Sequence, residues 1–381
     1  MDIISISISF FYLYHFFFLL TSLGLSRDRK IEYSCENRFA ILIPAHNEEN
    51  VIFGSVRSII KTCLYPRELF DVYVIADNCT DDTISLAKKA GAHVLIRFNE
   101  RLRGKQHAIK WAFEQINLDD YNAVVILDAD NHIHPNYLRV LDAELIKGSK
   151  VIQGYIEAKN PCESWVTANY AYMAWYVNRV QMIRSKLGMS AWLGGTGLCI
   201  KTEIIKRIGW NVETLVDDAE YTCQLILAGE RVVFAADAVV YDQKPDNLKD
   251  SLQQRLRWMR GQTQICIRYL PRLIVSVPYL WFKGNMSQAV RAFDAIMWVP
   301  MHLVVLISMI WSVYQGWWQY LLSVFLTVPF FNMLPMVTEK ITLWRPWALL
   351  GTAGAFFLSW FPVTVWGALT SGNKTWWRTP H

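Results

Sequence analysis

The stretch DSLQQRLRWMRGQ, residues 250–262, stands at a change of composition that decides how the chain is built. Ahead of it, short β-branched runs alternate with stretches of helical spacing; behind it come apolar runs of membrane length. On a helix, Gln254, Arg257 and Trp258 fall at i, i+3 and i+4 and so share one face. Such a face either offers a flat ring for stacking, a guanidinium for an anion and an amide to orient both, or forms an amphipathic interface helix anchored by its aromatic ring.

Working back from there, Phe39–Ile43, Val72–Ile75, Val94–Ile96, Val124–Leu127, Val151–Gln153 and Val232–Phe234 read as strands. Glu48–Thr62, Asp82–Ala90 and Lys105–Ile116 read as helices between them, so βαβ units in a mainly parallel sheet are expected, with ligands beyond the carboxyl ends of the strands. The aromatic run Trp165–Trp175 reads as an amphipathic helix against the membrane, a groove wall or plain core.

Ile3–Leu25 is apolar apart from Ser, Thr, Tyr and His15, and a span needs about 20 helical residues. No basic region precedes it and no small-x-small site follows it, which favours a retained anchor over a cleaved signal peptide. Arg27, Arg29 and Lys30 then place the following domain in the cytosol. Towards the other end, Leu273–Phe282 reads as an interface helix, and Ala295–Val313, Tyr320–Val337 and Trp347–Leu369 read as spans. Three such crossings would leave the C-terminus outside, whereas Lys374 and Arg378 favour inside. Pro362 with Gly351, Gly354 and Gly367 permits a broken or re-entrant last segment. Asp294, too costly at mid-bilayer, belongs at the interface or on a polar conduit. The expected domains are therefore 1–26 (anchor), 37–250 (cytosolic), 251–285 (interface helices), 291–370 (membrane region) and 371–381 (tail).

The 381 residues are 53% hydrophobic and carry a net charge of +5, too modest to call for nucleic acid. Seven scattered cysteines without a C-x-x-C pair argue against a disulfide framework and a thiolate zinc site.

The chemistry-bearing motifs sit at strand ends. In LDAD (127–130), Asp128 and Asp130 lie two apart and face the same way in extended chain. Hard cations such as Mg²⁺ or Mn²⁺ are held by one or two carboxylates together with substrate phosphates, though Asp-x-Asp also serves as turn punctuation. PAHNEE (44–49) and ADNCTDDT (76–83) present Asn47, Asp77 and Asp81, whose plainer role is capping and turn formation. Arg103-Gly104-Lys105 opens a helix that could hold phosphate or simply be a basic turn. Gly194-Gly195-Thr196-Gly197 precedes an apolar strand and lacks the Gly-Lys-Ser/Thr ending of a phosphate loop.

Taken in order, PAHNEE, ADNCTDDT, RGK, LDAD, VDDAE (216–220) and QRLRW (254–258) resemble the membrane-bound family 2 inverting glycosyltransferases that include cellulose, chitin, hyaluronan and poly-N-acetylglucosamine synthases. The resemblance implies a GT-A fold in which Asn47, Glu48, Asp77 and Lys105 line a nucleotide pocket. It further implies that Asp128 and Asp130 meet nucleotide and metal and that Gln254, Arg257 and Trp258 meet diphosphate and acceptor. Val216-Asp217-Asp218 falls on the family's Thr-Glu-Asp motif, whose last residue is the general base. That makes Asp218 the expected base and Asp217 the capping member of the pair. The departure from Thr-Glu removes a hydroxyl and shortens one side chain. The tail Trp377–His381 resembles a Trp-x-Thr-x-His element of some relatives, or is an interfacial tryptophan with a frayed end.

The function these features imply is a polysaccharide synthase integral to a membrane, the plasma membrane in a prokaryote. Its donor is a UDP-sugar, with UDP-glucose or UDP-N-acetylglucosamine expected, and it extends a β-linked glycan and exports it if the C-terminal segments line a channel. Three such segments make a small wall, which favours a homo-oligomer. The competing readings are a non-processive transferase with a lipid acceptor and, further off, a non-catalytic export partner or a glycosidase.

Overall fold

Phe39–Ala45 (β1) is apolar on both faces, and its residues divide with a period of two. Phe39, Ile41 and Ile43 join one buried cluster, while Ala40 and Leu42 join the other. In the computed structural model, which describes residues 3–24, 34–316, 346–373 and 375, this strand lies inside the sheet, between two parallel neighbours. Each fully buried aliphatic side chain of this kind stabilises the fold by about 1.5–3 kcal/mol.

The other strands are β2 (Phe70–Asp77), β3 (His93–Arg97), β4 (Ala123–Ile126), β5 (His132–Ile133), β6 (Val151–Ala158), β7 (Leu198–Lys201) and β8 (Val232–Asp242). Among the described residues they form one sheet in the order β3-β2-β1-β4-β7-β6-β8-β5. One face is covered by α2 (Ile52–Thr62), α3 (Thr83–Ala90) and α5 (Tyr137–Ile146). The other is covered by α4 (Lys105–Gln115), α6 (Trp165–Lys186), α7 (Thr202–Ile208) and α8 (Asp217–Leu227).

The six strands read from the sequence are all present, but the sheet is mixed rather than mainly parallel. β7 runs antiparallel to both β4 and β6, and β5 runs antiparallel to β8. β6 and β8 extend well past their expected ends, because they pair in parallel from Val151–Val232 to Ala158–Asp242 across an irregularity at Gly154 and Tyr155.

This topology sets the position of the crevice. β2 and β4 both pair with β1 in parallel, on opposite sides, so the chain leaves β1 in one direction and returns in the other. The carboxyl ends of β1 and β4 therefore flank a switch point, where an open α/β sheet leaves room for a ligand. Antiparallel β7 begins at Leu198, beside Ile126 at the end of β4, which brings Gly194–Gly197 to the same rim.

Of the apolar segments, α1 (Ile3–Leu23) forms as one helix. The Gln254 region and Leu273–Phe282 are one continuous helix, α9 (Leu248–Phe282), rather than separate elements. The expected span Ala295–Val313 is broken: α10 (Met286–Trp298) and α11 (Met301–Tyr314) meet at 46°. Pro300 at the junction has no N–H to continue the helix and crowds the preceding turn. The last apolar segment likewise divides into α12 (Pro346–Leu358) and α13 (Trp360–Leu369), with Pro362 withholding a donor from the Leu358 carbonyl. Among the described residues three helical segments, in α1, α9 and Gly351–Leu369, are long and apolar enough to cross a membrane, or four if the bent α10–α11 pair is one span. The expectations for Arg27, Arg29, Lys30, Tyr320–Val337, Lys374 and Trp377–His381 lie outside the described residues.

The aromatic run beginning at Trp165 opens α6, a helix started by a capping box. Ser164 Oγ accepts from the Val166 and Thr167 amides, and Thr167 Oγ1 accepts from the Ser164 amide. It lies between β6 and the apolar helices α1 and α12. Asp294 does not line an open polar conduit. It is fully buried, pairs with the fully buried Arg184 of α6, and accepts from Tyr14 Oη of α1 at 2.5 Å. Arg184 also stacks over Trp298, 4.3 Å from its ring centre. A buried carboxylate is tolerable when paired and hydrogen-bonded in this way.

Candidate active site

A cleft of about 920 Å³ opens at the switch point. Its walls include Glu48, Asp77, Lys105, Asp128, Asp130, Asp218, Gln254, Arg257 and Trp258. Of the residues expected from the sequence, Asn47 alone is missing from this wall. It takes a left-handed φ of 56°, and its Oδ1 accepts from the Thr80 amide at 2.8 Å, so it joins the β1–α2 loop to the β2–α3 loop.

At one wall of the cleft, Asp77 ends β2 and is gripped by Arg97 at the end of β3, with Nη1 to Oδ1 at 2.5 Å. The adjacent His46 ring holds the Asp77 carbonyl at 2.7 Å. Gly104 adopts a φ of 118°, open to a residue without Cβ, and α4 begins at Lys105. The Lys105 ammonium donates to Asp128 Oδ1 at 2.5 Å and to the Gly195 carbonyl at 2.6 Å. It therefore links the end of β4 to the glycine-rich turn before β7.

Asp128 and Asp130 end up in different surroundings. The Asp128 amide donates to Thr196 Oγ1 at 3.0 Å, and its carboxylate faces the cleft with Lys105. Asp130 is only 4% exposed, and burial, then Asp242 and Asp128, hold its carboxyl well above the usual range. Asn131 Nδ2 bridges Asp130 Oδ1 and Asp242 Oδ1, each at 3.0 Å. Asp242 is paired with Lys244, and both line the cleft. Crowded, desolvated carboxylates are a fit site for a hard divalent cation, which relieves their mutual repulsion. Among the described residues no three His, Cys, Asp or Glu side chains group as a metal cage. Asp128 and Asp130 would thus hold an ion together with the phosphates of a ligand, the habit of Mg²⁺ and Mn²⁺.

Across the cleft, Val216 is the N-cap of α8, so Asp217 and Asp218 sit in the first turn and Asp217 is not the capping residue. Asp218 Oδ1 instead accepts from the Ala219 amide at 2.7 Å, using one of the unpaired N–H groups of the helix start. Burial and then the Asp217 charge push the Asp218 carboxyl up to about 7, where it can take a proton near neutral pH. Gly195, at a φ of 81°, brings bare backbone against this carboxylate: an added Cβ would sit 3.4 Å from Asp218 Oδ2.

α9 supplies the remaining wall. Arg257 lies in the field of Asp217, Asp218 and Asp128, and its Nη1 donates to the Leu215 carbonyl at 3.1 Å. Trp258 stacks on Trp360 of α13 with ring centres 6.3 Å apart and meets Tyr170 of α6 edge-on. α9 comes this close because residue 261 is glycine, where any Cβ would overlap the Val216 side chain.

Arg97, Asn131, Asp242, Lys244 and Gly261 escaped the sequence reading. The available signal for Asp242 and Lys244 was the apolar alternation of VVFAADAVVYD, which carries β8 on to the cleft. For Arg97 and Gly261 no local pattern exists, since their roles arise from elements distant in sequence.

A family model described as "Glycosyltransferase like family 2" matches residues 37–261. The probable glycosyltransferase YdaM of Bacillus subtilis is 25% identical over 301 residues, 71% of this chain and 69% of that protein. The poly-beta-1,6-N-acetyl-D-glucosamine synthase of Staphylococcus epidermidis is 20% identical over 367 residues, 93% of this chain and 86% of that protein. Among solved structures, a mannosyltransferase of Pyrobaculum calidifontis in complex with GDP-Man and Mn²⁺ superposes with a TM-score of 0.59 at 17% identity. That match covers 97% of this chain and 95% of the other, and it shows the shared GT-A fold. With that fold and a family match over more than half of its length, the chain belongs to the family 2 glycosyltransferases and is a glycosyltransferase enzyme.

Proposed function

We propose that the chain is an integral membrane, inverting transferase that moves a sugar from a UDP-sugar, UDP-glucose or UDP-N-acetylglucosamine, to a growing β-linked glycan. The observation that carries this reading is the sharing of one cleft by Lys105, Asp128, Asp218, Arg257 and Trp258. That cleft holds cations and carboxylates suited to a diphosphate together with a buried base, and its wall includes an aromatic ring on a helix that continues into apolar sequence.

In the reaction, the acceptor hydroxyl oxygen bonds to the anomeric carbon as the bond from that carbon to the diphosphate oxygen breaks. The bonding pair leaves with the nucleoside diphosphate, and the hydroxyl proton passes to Asp218. Lys105 and Arg257 present fixed positive charge to the diphosphate, and charge placed in advance lowers the barrier without reorganisation. Mg²⁺ or Mn²⁺, held by Asp128 and Asp130, supplies Lewis-acid charge to the leaving group when bound. Asp77, held rigid by Arg97, offers a carboxylate acceptor to the N–H edge of a base. Trp258 gives the acceptor ring a face to stack on.

The apolar helices carry the enzyme in the bilayer with the catalytic domain in the cytosol. The length match to the staphylococcal synthase supports a glycan acceptor, and the mannosyltransferase solved with Mn²⁺ supports a divalent ion. Membranes holding the full chain should be incubated with labelled UDP-glucose, UDP-N-acetylglucosamine and GDP-mannose in Mg²⁺ or Mn²⁺, and the products sized. A ladder from a UDP-sugar is the expected result. One sugar on lipid would replace the glycan acceptor by a lipid, and intact donors would overturn the reading.

A further inference from the structure

The residues just ahead of Asp217 and Asp218 lie outside regular secondary structure, so their backbone groups need partners from elsewhere. Side chains provide them. Buried Glu220, in the first turn of α8 with Asp218, accepts from the Glu213 amide at 2.8 Å and the Thr214 amide at 2.7 Å. Tyr269 of α9 secures the other oxygen of that carboxylate at 2.9 Å. Leu215 is clamped from both sides by α9: Arg257 donates to its carbonyl at 3.1 Å, and Gln264 Oε1 accepts from its amide at 3.1 Å.

Gln264 has a second partner. Its Nε2 donates to the Ser371 carbonyl at 2.6 Å, just past the end of α13. One turn earlier on α9, Arg260 Nε donates to Thr370 Oγ1 at 2.9 Å. The Thr375 amide donates to Asn373 Oδ1 at 2.8 Å, and Thr375 reaches the cleft wall. One amide side chain thus joins the loop that carries the acidic pair to the segment leaving the last apolar helix.

We infer that Gln264 is a positioning residue for Asp218, and that through it the segment Thr370–Asn373 sets where the base stands relative to the acceptor. A carboxylate must lie within hydrogen-bond reach of the hydroxyl it deprotonates, and a shift of about 1 Å costs up to roughly 100-fold in rate. Gln264 touches neither donor nor acceptor, so its effect falls on turnover and leaves nucleotide affinity alone. The segment after α13 thereby reports the arrangement of the apolar helices to the reaction centre.

The test uses the full chain in detergent, with kcat measured at saturating acceptor and UDP affinity measured by calorimetry. Gln264→Leu removes both bonds, and kcat should fall roughly 10- to 100-fold while the Kd for UDP stays within about twofold. Gln264→Glu keeps an acceptor for the Leu215 amide but loses the donor to Ser371, so its kcat should lie between those of Gln264→Leu and the wild type. A Gln264→Leu enzyme as fast as the wild type, or one that loses UDP affinity in step with kcat, overturns the positioning role. A Gln264→Glu enzyme as fast as the wild type overturns the link to Ser371, and this arm decides even if Gln264→Leu does not fold. The inference rests on Asp218 as the base. A wild type that leaves UDP-sugars intact sinks that assignment, whereas an active wild type matched by an equally active Gln264→Leu sinks only this one.

Discussion

The two sides of the cleft are built differently. On the side we assign to the donor, Asp77, Lys105, Asp128 and Asp130 stand at strand ends or a helix start, so the sheet itself places their backbones, and bonds such as Lys105 to Gly195 and Asn131 to Asp242 only cross-link groups already brought together there. On the other side, Asp218, Arg257 and Trp258 come from α8 and α9, outside the sheet, and are set by bonds between residues far apart: 42 positions from Arg257 to Leu215, 107 from Gln264 to Ser371. A site fixed by local topology survives changes in remote elements. A site fixed by side-chain bonds across elements can be tuned by them, and is correspondingly easy to disturb.

The sharpest way to separate the two sides is Asp218→Asn. It keeps the shape of the side chain and removes the base, so turnover should fall roughly 10²- to 10⁴-fold while UDP binding, which belongs to the donor side, persists. Unchanged turnover would remove Asp218 from the chemistry. The same carboxyl gives a pH signature. Its acid form persists up to about 7 because burial and Asp217 disfavour the charge, and only the ionised form can accept a proton. The expected kcat/KM therefore rises about tenfold per pH unit below that point and levels off above it. A profile flat down to pH 5 would show that the base titrates elsewhere.

The junction between the catalytic domain and the apolar helices offers the next test. Arg184→Met leaves Asp294 buried without its ion pair, a loss worth about 3–5 kcal/mol, readable as a lower melting temperature in detergent. Replacing both partners, Arg184→Met with Asp294→Leu, should recover much of that loss, because no uncompensated charge remains. If the double variant is no better than the single, packing rather than charge holds this junction.

The same contrast explains what could be read from the chain. The strands of the sheet, the helices between them and the GT-A fold follow from local periodicity and motif order, since β1 and β4 bury both faces and declare themselves by composition. Donor-side residues were legible for the same reason. Asp217 was misjudged because capping depends on where the helix starts, and Val216 takes that place. The break at Pro300 was missed because an apolar run hides it, although proline carries the signal. Gly261 looked like an unremarkable helical glycine, and only the approach of Val216 gives it meaning. Gly261→Ala should accordingly cost about 1–3 kcal/mol through overpacking and lower turnover. Gly54→Ala in α2, where a Cβ meets open space, should leave both nearly unchanged or add a little helix stability.

The smallest expected effect falls on Asn47, where the resemblance and the geometry disagree. As a nucleotide-binding residue, Asn47 would lose UDP affinity on any substitution. As a loop tie, it contributes through two physical effects: a left-handed φ of 56° that asparagine tolerates, and hydrogen bonding to Thr80. Asn47→Ala removes the bonds and adds backbone strain of roughly 1–2 kcal/mol, whereas Asn47→Gly removes the bonds and relaxes the strain. Melting temperature should therefore drop more for alanine than for glycine, with UDP affinity close to the wild type in both. The reverse pattern, equal stability with UDP affinity lost in each variant, would put Asn47 back on the nucleotide. The donor site would then reach beyond the wall of this cleft.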